Sequence, residues 1–226
     1  MDSLYNFLNN FSQKPVAILD DVIALDKYTE LDLSINNIEL SNYDITDPEA
    51  CQAYIDSVLH RNDALVAYGG YLEQRNLYNN KKGFSGLVDG KRNIHLGMDF
   101  WAKAGTKVRA PISGRIHSFK NNRSKGNYGP TIILSHNVEG VHFYTLYGHL
   151  SLESLNNLYE GKNIKEGDIL GFLGTSDINV NYAPHLHFQM ILNIGDYKGD
   201  YPGVCSSTNL EYYIKNCPDP NLLLHM

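Results

Sequence analysis

Ala183-Pro-His-Leu-His-Phe-Gln-Met190 is an apolar run interrupted by two histidines, and its reading decides the fold. Such a run reads as a strand. Side chains at i and i+2 leave the same face of a strand, so the imidazoles of His185 and His187 point at one place. Upstream, Val108-Arg-Ala-Pro-Ile-Ser-Gly-Arg-Ile116, Thr131-Ile-Ile-Leu-Ser135 and Val141-His-Phe-Tyr-Thr-Leu-Tyr147 are further short apolar or alternating runs. Gly105, Gly114, Gly129, Gly140, Gly167, Gly171 and Gly174 punctuate them. Short strands separated by glycine turns predict a mainly β domain built on an antiparallel sheet. Asn137-Val-Glu-Gly140, between two of these runs, predicts a hairpin turn. Ser151–Tyr159 and Ser207–Asn216 are read as short helices.

Residues 1–90 read differently, as an α+β extension packing on a core formed by residues 91–226. A short amphipathic helix is predicted around Ser3–Phe11, followed by strand-like text from Val16 to Leu19 and from Tyr28 to Leu33. One helix is clearer. Asp47 caps it, Pro48 fits its first turn and Glu49 sits at its electropositive end. Ala50, Tyr54, Val58 and Leu65, with Ile55 and Leu59 beside them, form its apolar stripe, and Gly69-Gly70 is read as its stop.

Composition narrows the function. The 226 residues are 42% hydrophobic and 19% charged, ordinary values for a globular protein. The net charge of -6 is spread along the chain. It leaves no basic stripe to track phosphates, so nucleic acid is not an expected partner. No segment approaches the ~18 apolar residues of a membrane span. Met1–Asn10 carries neither a basic region nor a continuous apolar core, and Cys51, Cys205 and Cys217 show no close pairing. A cytoplasmic protein is therefore expected, in which Cys205 and Cys217 could pair only on meeting an oxidant. The sixteen tyrosines suit strands and also the walls of a polar groove. Oligomeric state is not legible.

Four of the nine histidines fall into patterns. His185 and His187 share a strand face. His95-Leu-Gly-Met-Asp99 offers a nitrogen and an oxygen ligand close in sequence, with Gly97 permitting a tight path between them. Tyr147-Gly-His149 ends another predicted strand and supplies a further imidazole. Catalytic zinc usually takes three protein ligands and keeps one position for water, and two histidines with one carboxylate meet that need. The remaining histidines can then shuttle protons or hold a developing oxyanion.

The order of motifs resembles the lysostaphin-like zinc metalloendopeptidases, which cleave peptides of bacterial peptidoglycan. The resemblance runs from about residue 92 to 192. It rests on His95-Leu-Gly-Met-Asp99, Ala104–Ala110 with Gly114, Tyr128-Gly with Thr131–His136, Tyr147-Gly-His-Leu150, Lys165–Gly171, Gly174-Thr and Pro184-His-Leu-His-Phe188. It implies that His95, Asp99 and His187 bind Zn2+ and that His149 and His185 are the catalytic histidines. It also implies hydrolysis of an amide in a peptide or muropeptide-like substrate. Asp177–Ala183 departs from the glycine-rich approach usual before Pro-His-Leu-His-Phe, and that loop is expected to border the groove. Tyr144, Tyr147 and Tyr182 are candidates to line it, with Tyr182 best placed for an oxyanion. His136 is expected to be structural and His142 to face elsewhere, and His60, His117 and His225 read as surface or helix positions. The alternative is a cytoplasmic metal-binding or non-peptidase module of the same fold, acting on or binding a small amide- or phosphate-bearing ligand.

Overall fold

The computed structural model describes residues 15–78, 90–124, 126–179 and 181–226. The predicted helix at Ser3–Phe11 lies outside them. The strands are β1 (Tyr28–Glu30), β2 (Val66–Gly69), β3 (Ile94–His95), β4 (Met98–Trp101), β5 (Lys107–Arg109), β6 (Gly114–Asn122), β7 (Gly129–Val138), β8 (Val141–Gly148), β9 (Asn163–Ile164), β10 (Ile169–Phe172), β11 (His185–Ile191) and β12 (Val204–Cys205). The helices are α1 (Pro48–Arg61), α2 (Leu210–Asn216) and α3 (Asn221–Leu224). The protein is mainly β, as its sequence predicts.

One sheet dominates, in the order β1-β2-β4-β11-β8-β7-β6-β9. Only β1 and β2 run parallel; every other neighbouring pair in it is antiparallel. β10 pairs with β5, and β12 with β3, in two small antiparallel ribbons. The hairpin between β7 and β8 turns at Glu139 (φ 52°) and Gly140 (φ 81°). Two left-handed residues give a turn whose twist matches that of the flanking strands.

Alternation along β11 separates core from site. Leu186, Phe188 and Met190 enter the main core with Phe100, Phe143 and Tyr147, all but fully buried. His185, His187 and Gln189 take the opposite face, as the period of two requires. They too are buried, because the chain around β12 and residues 200–203 covers that side.

The amino-terminal residues join the same sheet, since β2 lies beside β4 with Ala67 opposite Trp101. Asp47 caps α1 as read, its carboxylate accepting from the N–H groups of Glu49 (3.1 Å) and Ala50 (2.9 Å). Cys51, Tyr54, Ile55 and Val58 are its buried face. The predicted stop at Gly69-Gly70 is corrected. The helix ends at Arg61, where the Asn62 side chain donates to the Val58 carbonyl (2.8 Å) and Asp63 turns left-handed. Leu65 lies beyond it and is 54% exposed. Val66–Gly69 is instead claimed by the sheet, where Val66 and Tyr68 suit a strand and their backbone groups bond to β1 and β4. Ser151–Tyr159 yields only a 3-10 turn, Leu152–Leu155, and Ser207–Asn216 yields a 3-10 turn leading into α2.

His136 is structural. It is 3% exposed, its Nδ1 donates to the Ser113 carbonyl (2.9 Å), its Nε2 accepts from the Thr145 hydroxyl (2.8 Å), and its ring stacks on Phe143. Burial pushes its pKa down to about 4 from the ordinary 6.5. The unfolded chain therefore binds a proton that the folded one refuses across this window, so stability falls as pH drops through it. The slope from one such proton is at most about 1.4 kcal/mol per pH unit. His136→Gln should flatten the dependence of urea-unfolding stability on pH between 6.5 and 4. Parallel curves for the two proteins would show that His136 does not carry this sensitivity.

Candidate functional site

Two strand pairings bring the histidines and the aspartate together. β11 pairs antiparallel with β4, setting His187 directly opposite Asp99 and His185 opposite Trp101. On its other side β11 pairs with β8, so that His187 also faces Gly148, and His149 follows at the strand end. His95 closes the group from β3, with two residues between it and the start of β4. Gly97 makes this turn possible: a Cβ there would lie 2.6 Å from both the His187 Cε1 and the Phe188 carbonyl oxygen. All five residues named from the sequence thus meet at one place, each at most 4% exposed.

The geometry is tight. His95 Nε2 lies 2.8 Å from His187 Nδ1, and each of these nitrogens lies 3.2 Å from Asp99 Oδ1. His185 Nε2 is 4.0 Å from the same oxygen. Its ring stacks on Trp101 at 4.0 Å and sits 4.1 Å from the ring of His149. His149 has a left-handed backbone (φ 63°), unusual for a residue with a side chain, and such strain concentrates at functional sites. Its own N–H donates to the Tyr128 carbonyl and its carbonyl accepts from Gly174, which fixes that conformation.

Hydrogen bonds to acceptor-only atoms settle the tautomers. His95 Nδ1 faces the Gly70 carbonyl at 2.9 Å, so it carries the proton and Nε2 is a bare lone pair. His187 Nε2 faces Gln189 Oε1 at 2.9 Å. The Gln189 amide nitrogen donates to the Pro202 carbonyl (3.2 Å), which fixes the amide's orientation and makes His187 Nε2 the donor to Gln189. His185 Nδ1 donates to the Ala183 carbonyl (2.8 Å), leaving its Nε2 free to accept. His149 Nδ1 is buried with no hydrogen-bond partner among the described residues.

Charge follows the same logic. Burial pushes His95 down to about 4, helped by the nearby Arg75 guanidinium, and pushes His185 to the same value. Burial, reinforced by His185 and His187, drives His149 well below the ordinary range. Burial alone would raise the Asp99 carboxyl, but His95 and Arg75 beside it win and hold it well below the usual carboxylate range. Three potential ligand atoms, two imidazole nitrogens and a carboxylate oxygen, therefore converge within 3.2 Å of one another. A cation among them would be met from three sides at once. A tetrahedral zinc bonded at ~2.0–2.1 Å would space its ligands by roughly 3.3 Å, close to the separations found. The donor set fits zinc.

The cluster forms the floor of a cavity of about 360 Å³ walled by Tyr78, Tyr128, Tyr182, Arg92 and Asp200. Tyr182 lines it as read, its hydroxyl donating to the Gly126 carbonyl (3.1 Å), which ties the 177–183 loop to the loop before β7. Tyr147 and Tyr144 do not line it. Tyr147 is in the main core, and Tyr144 packs against the Ile133 cluster and the ring of His117. Sequence reasoning missed Tyr128, whose hydroxyl lies 3.5 Å from His187 Nε2, and Arg75, whose Nη1 donates to Asp99 Oδ2 at 2.5 Å. Nothing in Glu73-Gln-Arg75 distinguishes it from an ordinary charged surface trio. Cys51, Cys205 and Cys217 are buried and form no disulfide with one another. No helix among the described residues is long and apolar enough to cross a membrane.

Residues 93–198 match the model of Peptidase family M23. The DD-carboxypeptidase/endopeptidase Mpg of Neisseria meningitidis serogroup B is 39% identical over 100 residues, which are 44% of this chain and 20% of that protein. Lysostaphin of Staphylococcus simulans is 37% identical over 124 residues, covering 52% of this chain and 22% of that protein. The chain thus spans about a fifth of the length of these curated relatives. Among solved structures, the catalytic domain of lysostaphin from the same organism is 30% identical, covering 54% of this chain and 80% of that one with a TM-score of 0.39.

Gly97→Ala tests the close approach on which the cluster depends. The added methyl group must displace the His187 ring or part β4 from β11, so stability should fall by about 1–3 kcal/mol, as for overpacked cores. Denaturant unfolding together with the imidazole NMR signals would read both effects. Unchanged stability with unchanged imidazole signals would mean that the turn has slack.

Proposed function

We propose, from a chain whose residues 93–198 are a Peptidase family M23 domain, that this protein is a zinc-dependent hydrolase of amide bonds in peptidoglycan or peptides derived from it. His95, Asp99 and His187 would hold the metal. The observation that carries the reading is the meeting of three potential ligand atoms, from His95, Asp99 and His187, at the floor of a cavity. Zinc bound there supplies Lewis acidity, lowering the pKa of water toward ~7 and polarising a carbonyl.

The chain's own residues divide the remaining work. His185 presents an unprotonated Nε2 toward the cluster, with its ring held between Trp101 and His149. It is placed to take the proton of an attacking water and to return it to the leaving amine as the C–N bond breaks. His149, neutral and locked by its left-handed backbone, is placed to hold the developing oxyanion. Tyr182, whose ring meets those of both histidines, walls the cavity beside them. The tyrosine-lined cavity suits a neutral peptide backbone, offering apolar area and hydroxyls together.

Purified protein should bind about one zinc per chain by the three-ligand rule, and Asp99→Ala or His187→Ala should lose it. His149→Ala and His185→Ala should retain zinc yet lose ~10²-fold or more of turnover on soluble muropeptides and isolated sacculi assayed in parallel. Full zinc occupancy in the Asp99 and His187 variants would remove the ligand assignment. Zinc-loaded wild-type protein that releases no amine from either substrate would overturn the hydrolase reading.

A further inference from the structure

The cluster is not closed by the M23 residues alone. Residues 70–75, from the amino-terminal third of the chain, run alongside β3 and are zipped to it on both sides of His95. Leu72 donates its N–H to the His95 carbonyl (2.9 Å), His95 donates to the Glu73 carbonyl (3.0 Å), and Arg75 donates to the Asn93 carbonyl (2.9 Å). This segment delivers Arg75 beneath Asp99.

Arg75 is 1% exposed, and its two neighbours in charge are buried with it: the Asp99 side chain is 2% exposed and that of Glu73 10%. Arg75 Nη1 donates to Asp99 Oδ2, while Arg75 Nε donates to Glu73 Oε2. Glu73 is itself anchored, because its other oxygen accepts the Leu33 N–H at 2.8 Å. Gly70 leaves the space required: a Cβ there would collide with Arg75 Nη2 at 1.8 Å, and its φ of +99° is one that side chains rarely adopt. Asp99 is thereby divided. Oδ2 belongs to Arg75, and Oδ1 alone faces His95 and His187.

We infer that Arg75, held in place by Glu73, is a positioning residue that fixes Asp99 as a one-oxygen ligand; this rests on the metal reading above. The electrostatics agree with the geometry. Glu73, Arg75 and Asp99 carry a net charge of -1 in a buried setting, and an ion group of this kind is costly unless another charge completes it. A divalent cation at Asp99 Oδ1 would supply that charge. Glu73 matters because it neutralises Arg75. Without it the full guanidinium charge would draw electron density from Asp99 and compete with the metal. With Arg75 gone, Oδ2 would be free to swing toward the ion and occupy the position that water needs.

The test uses the full chain and zinc itself, with affinity read by competition against a chromophoric chelator and cobalt(II) absorption reporting coordination number. Arg75→Met should weaken zinc binding about 10- to 100-fold, the usual effect of losing a partner that orients a metal ligand. Its cobalt bands should lose intensity as Asp99 moves toward two-oxygen binding. Arg75→Lys, which keeps one charged donor but cannot span both carboxylates, should fall between Arg75→Met and wild type. Glu73→Gln should weaken binding while leaving the cobalt geometry near that of wild type. Arg61→Met, far from the cluster and exposed, serves as the control. Circular dichroism of the metal-free proteins shows which variants fold; should Arg75→Met not fold, Arg75→Lys and Glu73→Gln decide. Folded variants that bind zinc within twofold of wild type, with wild-type cobalt bands, would overturn the inference alone. Wild-type protein that takes up no zinc would instead fail the metal reading, and this inference with it.

Discussion

The register of β11 against β4 is the constraint on which the site depends. With His187 opposite Asp99, the side chains of both leave the same face of the sheet, and His185 follows two residues away opposite Trp101. A slip of one residue would turn both histidines into the core and Leu186 and Phe188 out of it. The apolar face of β11 therefore protects the polar one: Leu186, Phe188 and Met190 gain their burial only in the register that also assembles the imidazoles. Burial of a leucine or phenylalanine side chain contributes about 1.5–3 kcal/mol, so the penalty for misalignment exceeds anything the histidines alone could exact.

Once the strands are aligned, the tautomers are set from two separate directions. His95 donates from Nδ1 to the carbonyl of Gly70, which precedes the stretch matched by the M23 model, and His187 donates from Nε2 to the Gln189 amide oxygen on its own strand. Gln189 in turn is tied to the carbonyl of Pro202 and to Cys217 Sγ (3.3 Å), which lie beyond the stretch matched by the M23 model. His95 Nε2 and His187 Nδ1 face each other because segments on both flanks of residues 93–198 hold the outer ring atoms or their partner Gln189. The core motif is local, but its chemical state is imposed by residues far away in the chain.

That division explains what was legible beforehand. His185 and His187 could be read as partners because the period of two is a property of any strand, and Gly140 marked the hairpin because few other residues accept its conformation. The family motifs then ordered the remaining site residues. Arg75 was illegible because its role exists only through a contact with a residue 24 positions away, and backbone acceptors such as the Gly70 carbonyl leave no trace in residue type. The misread end of α1 has the same origin. Val66–Gly69 continues an apolar pattern compatible with a helix, and only the strands on either side of it, β1 and β4, decide otherwise. Tyr147 misled in the opposite sense: it sits next to a site residue in sequence, yet its ring belongs to the core face.

The same buried cluster links function to stability. Three crowded polar atoms at the cluster, a left-handed His149 whose Nδ1 has no hydrogen-bond partner among the described residues, and an ion triad held away from water each raise the free energy of the folded chain. These costs are borne by the sheet, whose core strands are buried on both faces, rather than relieved by local rearrangement. A divalent cation would remove the largest of them by turning mutual repulsion into shared coordination. Metal binding to such a preformed site stabilises the fold by mass action, and it needs little reorganisation, because the outer hydrogen bonds already hold each donor where the ion would meet it. The sheet thus spends part of the stability supplied by its apolar face to keep the polar face in a state that favours a cation.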